Sequence, residues 1–154
     1  MICINCLHAK TEVTNSRPHK KQSSVWRRRK CPICGALWTT RETVSLNEYL
    51  KVINQGKAEQ YDRGTLSASI FTALLPAKLH PRDSYWLVET IEEKLLVECR
   101  KMNQNNVSTE VIAKITYTTV KSYNPIAGLN YGTAHGLVTT VSSRRGRGRP
   151  SVRS

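Results

Sequence analysis

The spacing of apolar residues predicts helices in the middle of the chain. In the segment 63–75, apolar side chains recur at helical intervals until Pro76 interrupts the pattern. The segment 84–102 has the same periodicity. A third segment, 108–124, opens with Ser-Thr-Glu, a sequence typical of a helix N-terminus. The pattern therefore predicts three helices.

Strands are predicted on the N-terminal side of these helices. Residues 11–15 and 36–44 are rich in residues that favour strands, and a further strand leads into the second of two Cys-x-x-Cys pairs. Residues 47–62 predict a strand, a turn at Gln-Gly and a second strand, which together form a β-hairpin. The predicted fold class is α+β, with a small β unit at 1–47 and a mainly helical domain at 48–140 that the hairpin opens.

Charge is distributed unevenly along the chain. The 154 residues contain 24 Lys and Arg against 11 Asp and Glu, a formal net charge of +13. Residues 1–47 hold nine bases and two acids, residues 48–140 hold ten and nine, and residues 141–154 hold five bases and no acid. A surplus of this size in a small protein usually meets nucleic acid or an anionic surface. The two basic ends therefore predict a protein that binds nucleic acid.

The sequence has no segment that would direct it to a membrane or out of the cell. It contains no run of 18 apolar residues, and its N-terminus lacks a basic segment followed by an apolar stretch. We therefore expect a cytoplasmic protein, associated with the nucleoid through DNA.

Four of the five cysteines form two Cys-x-x-Cys pairs separated by 24 residues. This spacing is typical of a zinc ribbon, in which two tight turns donate four thiolates to one tetrahedral Zn²⁺ ion. Disulfides and a redox motif are the alternatives, but disulfides are rare in the cytosol and a redox motif normally occurs once. The fifth cysteine, Cys99, lies in a helical pattern and is expected in the core. The predicted zinc ligands are Cys3, Cys6, Cys31 and Cys34.

A run of four bases, Arg27, Arg28, Arg29 and Lys30, directly precedes the second cysteine pair. Because these charges repel one another, we expect an external anion, the DNA phosphate, to stabilise them. The alternative is a solvated strand edge, where bases discourage aggregation. On a strand, alternate side chains point to opposite faces, and we expect Arg27 and Arg29 to be the pair that faces DNA. The other DNA contacts predicted in this unit are Arg17, Lys20, Lys21 and Arg41.

Three short segments accompany the cysteine pairs: Asn-Ser-Arg-Pro at 15–18, Trp-Arg-Arg-Arg-Lys-Cys-Pro-Ile-Cys-Gly at 26–35 and Trp-Thr-Thr-Arg-Glu at 38–42. Together they resemble the NrdR family, the bacterial repressors of ribonucleotide reductase genes. In that family a zinc ribbon precedes a nucleotide-binding ATP-cone domain. The resemblance covers residues 1–47 strongly and residues 48–135 in outline. It implies a homo-oligomeric repressor, a dimer or a larger assembly, that binds double-stranded DNA.

The resemblance also implies a response to ATP or dATP. The lysines that the family uses are not matched, because Ile53 and Thr65 stand where lysines are usual. The candidate phosphate contacts are Lys51, on the same strand face as Ile53, and Lys57, after the hairpin turn. Retained, altered and absent nucleotide binding all stay open, and we expect ATP to bind more weakly than in a typical family member.

The C-terminal tail, residues 141–154, is polar and basic apart from Val141 and Val152, and we expect it to be disordered when free. Its Arg147-Gly148-Arg149-Pro150 sequence resembles the core of an AT-hook. An extended Arg-Gly-Arg segment suits a narrow minor groove, where negative potential attracts arginine. Arg147 and Arg149 are therefore candidate DNA contacts, and a nonspecific basic arm is the alternative.

Catalysis is not expected, because the four histidines are scattered and no catalytic triad or phosphate-binding loop occurs. Two functions fit the sequence. The first is a zinc-dependent, DNA-binding repressor of ribonucleotide reductase genes that responds to ATP or dATP. The alternative is a zinc-ribbon adaptor that binds RNA or a polymerase complex and has no regulatory nucleotide.

Overall fold

The computed structural model describes residues 1–19 and 23–138. Strands predominate in the N-terminal part of the chain and helices in the rest, so the predicted α+β fold class is confirmed. Some of the predicted DNA contacts lie outside the described residues: Lys20, Lys21, Arg147 and Arg149, with the rest of the tail 141–154.

The N-terminal unit, called the ribbon (residues 1–43), is built on an antiparallel sheet with β2 in the centre. Its strands are β1, Glu12–Pro18; β2, Ser24–Lys30; and β3, Leu37–Thr43. The ribbon has a small apolar core. Cys3 and Cys31 are fully buried, but the strand residue Leu37 is 54% exposed. A unit with so small a core needs another source of folding energy, which a bound metal can supply.

A second sheet follows a short helix, α1, Leu46–Tyr49. Its strands are β4, Lys51–Asn54; β5, Lys57–Gln60; and β6, Asn106–Ser108. Strands β4 and β5 form the predicted hairpin, and both turn residues, Gln55 (φ 48°) and Gly56 (φ 81°), have the left-handed backbone of a tight two-residue turn. Strand β6 pairs parallel to β4 and was not predicted.

Four longer helices complete the fold: α2, Arg63–Leu74; α3, Arg82–Met102; α4, Thr109–Tyr123; and α5, Pro125–Ala134. The three predicted helices are present as α2, α3 and α4. Polar side chains start three of the helices, because Asp62, Ser108 and Asn124 accept hydrogen bonds from backbone N–H groups of the first turn. Among the described residues, no helix is both long enough and apolar enough to span a bilayer.

The main core lies among these helices and the second sheet. The apolar stripe of α3 that includes Ile91 and Leu95 packs against Ile70 of α2 and Val120 of α4, all fully buried. Cys99 is buried in the same cluster, where the helical pattern places it. Burying such a stripe stabilises each helix far more than its intrinsic propensity does.

Helices α4 and α5 approach each other closely at Gly128. A β-carbon at this position would lie 2.5 Å from the Cα of Lys121 and 2.6 Å from its Cβ. The contact leaves no room for a side chain, so the glycine is required by packing although it lowers helix propensity. Packing against α4 therefore accounts for a helix in a segment that contains two glycines.

Candidate metal centre and nucleic-acid interface

Two turns of the same design position the cysteines. In the first, the Leu7 N–H donates to the Cys3 carbonyl at 3.2 Å, and in the second the Gly35 N–H donates to the Cys31 carbonyl at 3.1 Å. Leu7 (φ 58°) and Gly35 (φ 71°) both lie in the left-handed region, at equivalent places in the two turns. The backbone thus folds back in the same way after each leading cysteine.

The sulfur atoms of the four predicted ligands form one cluster. The Sγ atoms of Cys3 and Cys34 are 3.6 Å apart, as are those of Cys6 and Cys31, and all four lie within 4.8 Å of one another. A tetrahedral Zn²⁺ with Zn–S bonds of about 2.3 Å requires sulfurs about 3.8 Å apart, whereas a disulfide requires about 2.05 Å. The geometry therefore fits one zinc ion.

Backbone hydrogen bonds favour the thiolate form at two of these sulfurs. The Cys6 and Asn5 N–H groups lower the pKa of Cys3, and the Ala36 N–H lowers the pKa of Cys34 to about 6. The pKa of Cys6 is nevertheless raised to about 12: the His8 N–H lowers it, but burial and the neighbouring sulfurs raise it more. A cation at the centre is what allows four adjacent sulfurs to be thiolates together.

The bases of β2 divide between the two faces of the ribbon sheet, as the alternation predicts. Arg27 and Arg29 are half-buried, with their side chains 35% and 13% exposed. Both guanidinium groups approach the Glu42 carboxylate, at 2.9 Å and 3.8 Å, and Arg29 Nε donates to the Thr40 hydroxyl at 3.3 Å. This pair, which the sequence led us to expect at the DNA, is therefore held by the ribbon's own side chains.

The opposite face of the sheet presents the exposed bases. Arg28 and Lys30 are exposed on β2, and cross-strand pairing places Arg17 of β1 and Arg41 of β3 beside Trp26 on the same face. Among the paired strand positions, the acidic residue on this face is Glu12, which lies opposite Lys30. The outward face of the ribbon consists of Arg17, Trp26, Arg28, Lys30 and Arg41.

Arg41 differs from the other bases of the outward face because it reaches the helical part of the protein. Its Nη1 atom lies 3.2 Å from both carboxylate oxygens of Glu89 on α3, and its guanidinium lies 5.9 Å from the centre of the Trp26 ring. One turn further along α3, Glu93 accepts a hydrogen bond from the Ser23 N–H at 3.1 Å. Two acidic residues of α3, Glu89 and Glu93, thus connect the ribbon to this helix.

Comparison with known proteins identifies the family. Residues 1–42 match the family model described as the N-terminal domain of Transcriptional repressor NrdR-like proteins. A relative from Pelagibacter ubique, named Transcriptional repressor NrdR, is 32% identical over 138 residues, which is 88% of this chain and 86% of that protein. This chain belongs to the NrdR family.

Other NrdR proteins also match this chain over most of both sequences. The relative from Caulobacter vibrioides is 27% identical over 88% of this chain and 83% of its own length, and that from Paracoccus denitrificans is 28% identical over 88% and 85%. Both are named as transcriptional repressors, which agrees with the prediction that the protein is not an enzyme. The family resemblance inferred from residues 1–47 is thereby confirmed.

The two lysines predicted to contact nucleotide lie on the exposed hairpin. A cavity of about 440 Å³ lies between this hairpin and helices α2, α4 and α5, but neither Lys51 nor Lys57 lines it. Among the described residues, the charged groups that line it are the carboxylates of Glu59 and Asp62, and the imidazole of His135 also lines it. The described lining of this cavity therefore offers no lysine or arginine to a phosphate group.

Sequence reasoning missed the acidic residues that hold the bases. Glu42, Glu89 and Glu93 each bind a group of the ribbon, and Glu92 binds Arg63 at 3.3 Å and the Tyr61 hydroxyl at 3.1 Å. The signal available in the sequence was the spacing of the glutamates on α3, which places them on one side of a helix. The partners of the glutamates on α3, however, come from segments that are far away in sequence.

Proposed function

We propose that this protein is a zinc-dependent, DNA-binding transcriptional repressor that acts on ribonucleotide reductase genes. The observation that carries the proposal is the four-cysteine cluster at the end of a strand whose outward face presents Arg28 and Lys30. Membership of the NrdR family supports the repressor function. The target genes are those that the family resemblance implies. A repressor acts on the chromosome, so the proposed location is the cytoplasm, at the nucleoid.

In this proposal, zinc folds the ribbon and the outward face binds DNA. Cys31 directly follows Lys30, so a metal bound at the cysteines fixes the end of β2 and with it the direction of the adjacent bases. A sheet of this kind can enter the major groove, where arginine pairs with guanine, while lysine contacts phosphate. Arg27 and Arg29 have a supporting role, because their ion pairs with Glu42 tie β2 to β3.

The remaining predicted contacts extend this interface. Lys20 and Lys21 belong to the connection between β1 and β2, and Arg147 and Arg149 belong to the tail. We propose that the first two contact phosphate and that the Arg-Gly-Arg sequence of the tail contacts a minor groove. The helical domain is proposed to mediate self-association, so that a homo-oligomer presents several ribbons to one duplex.

Regulation by ATP or dATP stays a prediction. It rests on the family alone, because Lys51 and Lys57 lie outside the cavity beneath the hairpin and the cavity lacks a lysine or arginine among its described lining residues. The DNA-binding proposal does not depend on it.

Selection from a pool of random duplexes tests the proposed function. We expect the full zinc-loaded chain to enrich a particular duplex sequence and to prefer it over random DNA at raised salt, because base contacts lose less affinity to salt than phosphate contacts do. Equal binding to all duplexes and to RNA, lost uniformly as salt rises, would instead support the nucleic-acid adaptor. Loss of enrichment on zinc removal is the matched control.

A further inference from the structure

Strand β1 contains an irregularity that changes which of its side chains lie on the outward face. Two consecutive residues of β2, Arg29 and Arg28, pair with Val13 and Asn15, so Thr14 is an extra residue in β1. The Thr14 hydroxyl donates a hydrogen bond to the Arg28 carbonyl at 3.2 Å and holds this β-bulge in place. Simple alternation along β1 would place Asn15 on the same face as Val13, beside Arg29. The bulge turns Asn15 to the face of Arg28 instead.

Asn15 thereby joins a row of side chains across the centre of the outward face. Arg28 lies opposite Asn15 of β1 on one side and opposite Thr39 of β3 on the other. Directly opposite residues of antiparallel strands present their side chains to one face, with Cβ atoms about 5 Å apart. All three residues are exposed. The row therefore sets a carboxamide, a guanidinium and a hydroxyl side by side.

The protein itself engages neither the carboxamide nor the guanidinium of this row. In the part of the chain that the structure describes, the side chains of Asn15 and Arg28 have no hydrogen-bond or ion-pair partner. On the other face of the same strand, by contrast, Arg27 and Arg29 are paired with Glu42. The bulge thus presents a free carboxamide where DNA is proposed to bind.

A carboxamide matches adenine in the major groove. Its N–H donates to adenine N7 and its oxygen accepts from the N6 amino group, whereas guanine presents two acceptors there and is matched by arginine. A phosphate contact would use the N–H donor alone. Stacked bases are about 3.4 Å apart, so side chains whose Cβ atoms are about 5 Å apart reach neighbouring base pairs. The pair of Asn15 and Arg28 therefore fits an adenine beside a guanine.

We propose that Asn15 is a specificity-determining residue, which reads an adenine next to the base pair that Arg28 contacts. The proposal rests on the proposed DNA-binding function and adds the identity of one base to it. Because asparagine carries no charge, its removal should affect one base position and leave the salt dependence of binding unchanged. A residue that contacts only phosphate would affect all duplexes alike.

Single 7-deazaadenine substitutions in the duplex selected by the full zinc-loaded chain test the proposal. This base lacks the N7 acceptor but still pairs with thymine. We expect one substituted position to weaken binding by the unmodified protein about tenfold, and to weaken binding by Asn15→Ala less than about twofold. On the unsubstituted duplex, Asn15→Ala should bind about tenfold more weakly than the unmodified protein, with the same salt slope.

Two further variants make the result specific to the carboxamide. Ser16→Ala is the matched control, because Ser16 is the next residue of β1 and pairs with Arg27 on the opposite face, and it should bind like the unmodified protein. Asn15→Asp keeps the size of the side chain but has no donor for N7, so it should retain zinc and no longer distinguish adenine from 7-deazaadenine at that position.

The outcomes separate this proposal from the function on which it rests. The proposal is overturned if both Asn15 variants bind the selected duplex as tightly as the unmodified protein, or if they keep its full loss at every 7-deazaadenine. It is also overturned if Asn15→Ala weakens binding to all duplexes alike with a lower salt slope, as a phosphate contact would. Failure of the unmodified protein to enrich any duplex would overturn the DNA-binding function and this inference with it.

Discussion

Arg41 of the ribbon and Glu89 of helix α3 form an ion pair, with Nη1 of the arginine 3.2 Å from both carboxylate oxygens. The two side chains are 23% and 16% exposed, so the pair is partly shielded from water. It connects a base of the outward face to the helical domain, so in the proposed function DNA phosphate would compete with Glu89 for this guanidinium.

Glu89→Gln should therefore raise DNA affinity. The substitution removes the negative charge that pairs with the Arg41 guanidinium, and we expect binding to tighten by about three- to tenfold with a salt slope steeper by about one, as for one added phosphate contact. Fluorescence anisotropy across a salt series measures both quantities. Glu98→Gln is the matched control, because Glu98 pairs with Lys101 on the same helix away from the ribbon. Unchanged or weaker binding by Glu89→Gln would show that the ion pair does not compete with DNA.

Cys31→Ser should remove zinc. One of four thiolates is lost, so the ion dissociates and the ribbon unfolds, while the helices keep their circular dichroism signal. Metal analysis should fall from one zinc per chain to much less, and DNA binding should be lost. Cys99→Ala, which changes a cysteine in the helical core, should retain both the metal and DNA binding. Zinc retained in Cys31→Ser would mean that the cluster has another ligand.

Gly128→Ala should destabilise the helical domain. The added methyl group would lie 2.5 Å from the Cα of Lys121, so α5 has to move away from α4. We expect the free energy of unfolding to fall by about 1–3 kcal/mol, measured by urea denaturation. Gly64→Ala, whose methyl group would lie 3.4 Å from the Asp62 carboxylate oxygens, is the control and should change stability far less. Equal effects would show that the helices accommodate the methyl group.

Acid should weaken the start of α2 through Asp62. Hydrogen bonds from the Thr65 hydroxyl, the Thr65 N–H and the Gly64 N–H lower the pKa of this carboxyl below its ordinary value of 3.8. A group with a depressed pKa contributes stability above the unfolded pKa, and this contribution is lost as pH falls through the folded pKa. The free energy of unfolding should therefore decrease as the pH drops below about 4, and it should decrease less in Asp62→Asn. Urea denaturation at pH 7 and pH 3 measures the difference; identical slopes in both proteins would contradict this role.

Parts of this structure follow from local patterns and parts do not. The helices α2, α3 and α4 were predictable because apolar residues recur at a helical period, whereas α5 was missed because Gly128 and Gly132 are poor helix formers. The three residues of β6 are too few to show alternation. Packing against α4 and pairing with β4, respectively, stabilise these two elements, and both contacts are remote in sequence.

The candidate site shows the same division. Cysteine spacing was sufficient to predict the metal cluster, and strand alternation was sufficient to predict that the bases of β2 lie on two faces. Which pair is held within the ribbon depends on Glu42, which lies on the neighbouring strand β3 and reaches Arg27 at 2.9 Å. Such contacts are made by tertiary pairing, so the sequence pattern could not show that Arg27 and Arg29 are paired with Glu42 while Arg28 and Lys30 are exposed.

The central claim, that the outward face of a zinc-organised ribbon binds DNA, is tested most directly by comparing Arg28→Ala with Arg27→Ala. The two residues are neighbours of the same type, but Arg28 is exposed and Arg27 is paired with Glu42. Binding isotherms on the selected duplex over several salt concentrations should show Arg28→Ala weaker by at least about fivefold with a salt slope lower by about one, and Arg27→Ala within about threefold of the unmodified protein. Equal losses and equal slopes in both variants, or a larger loss in Arg27→Ala, would contradict the account.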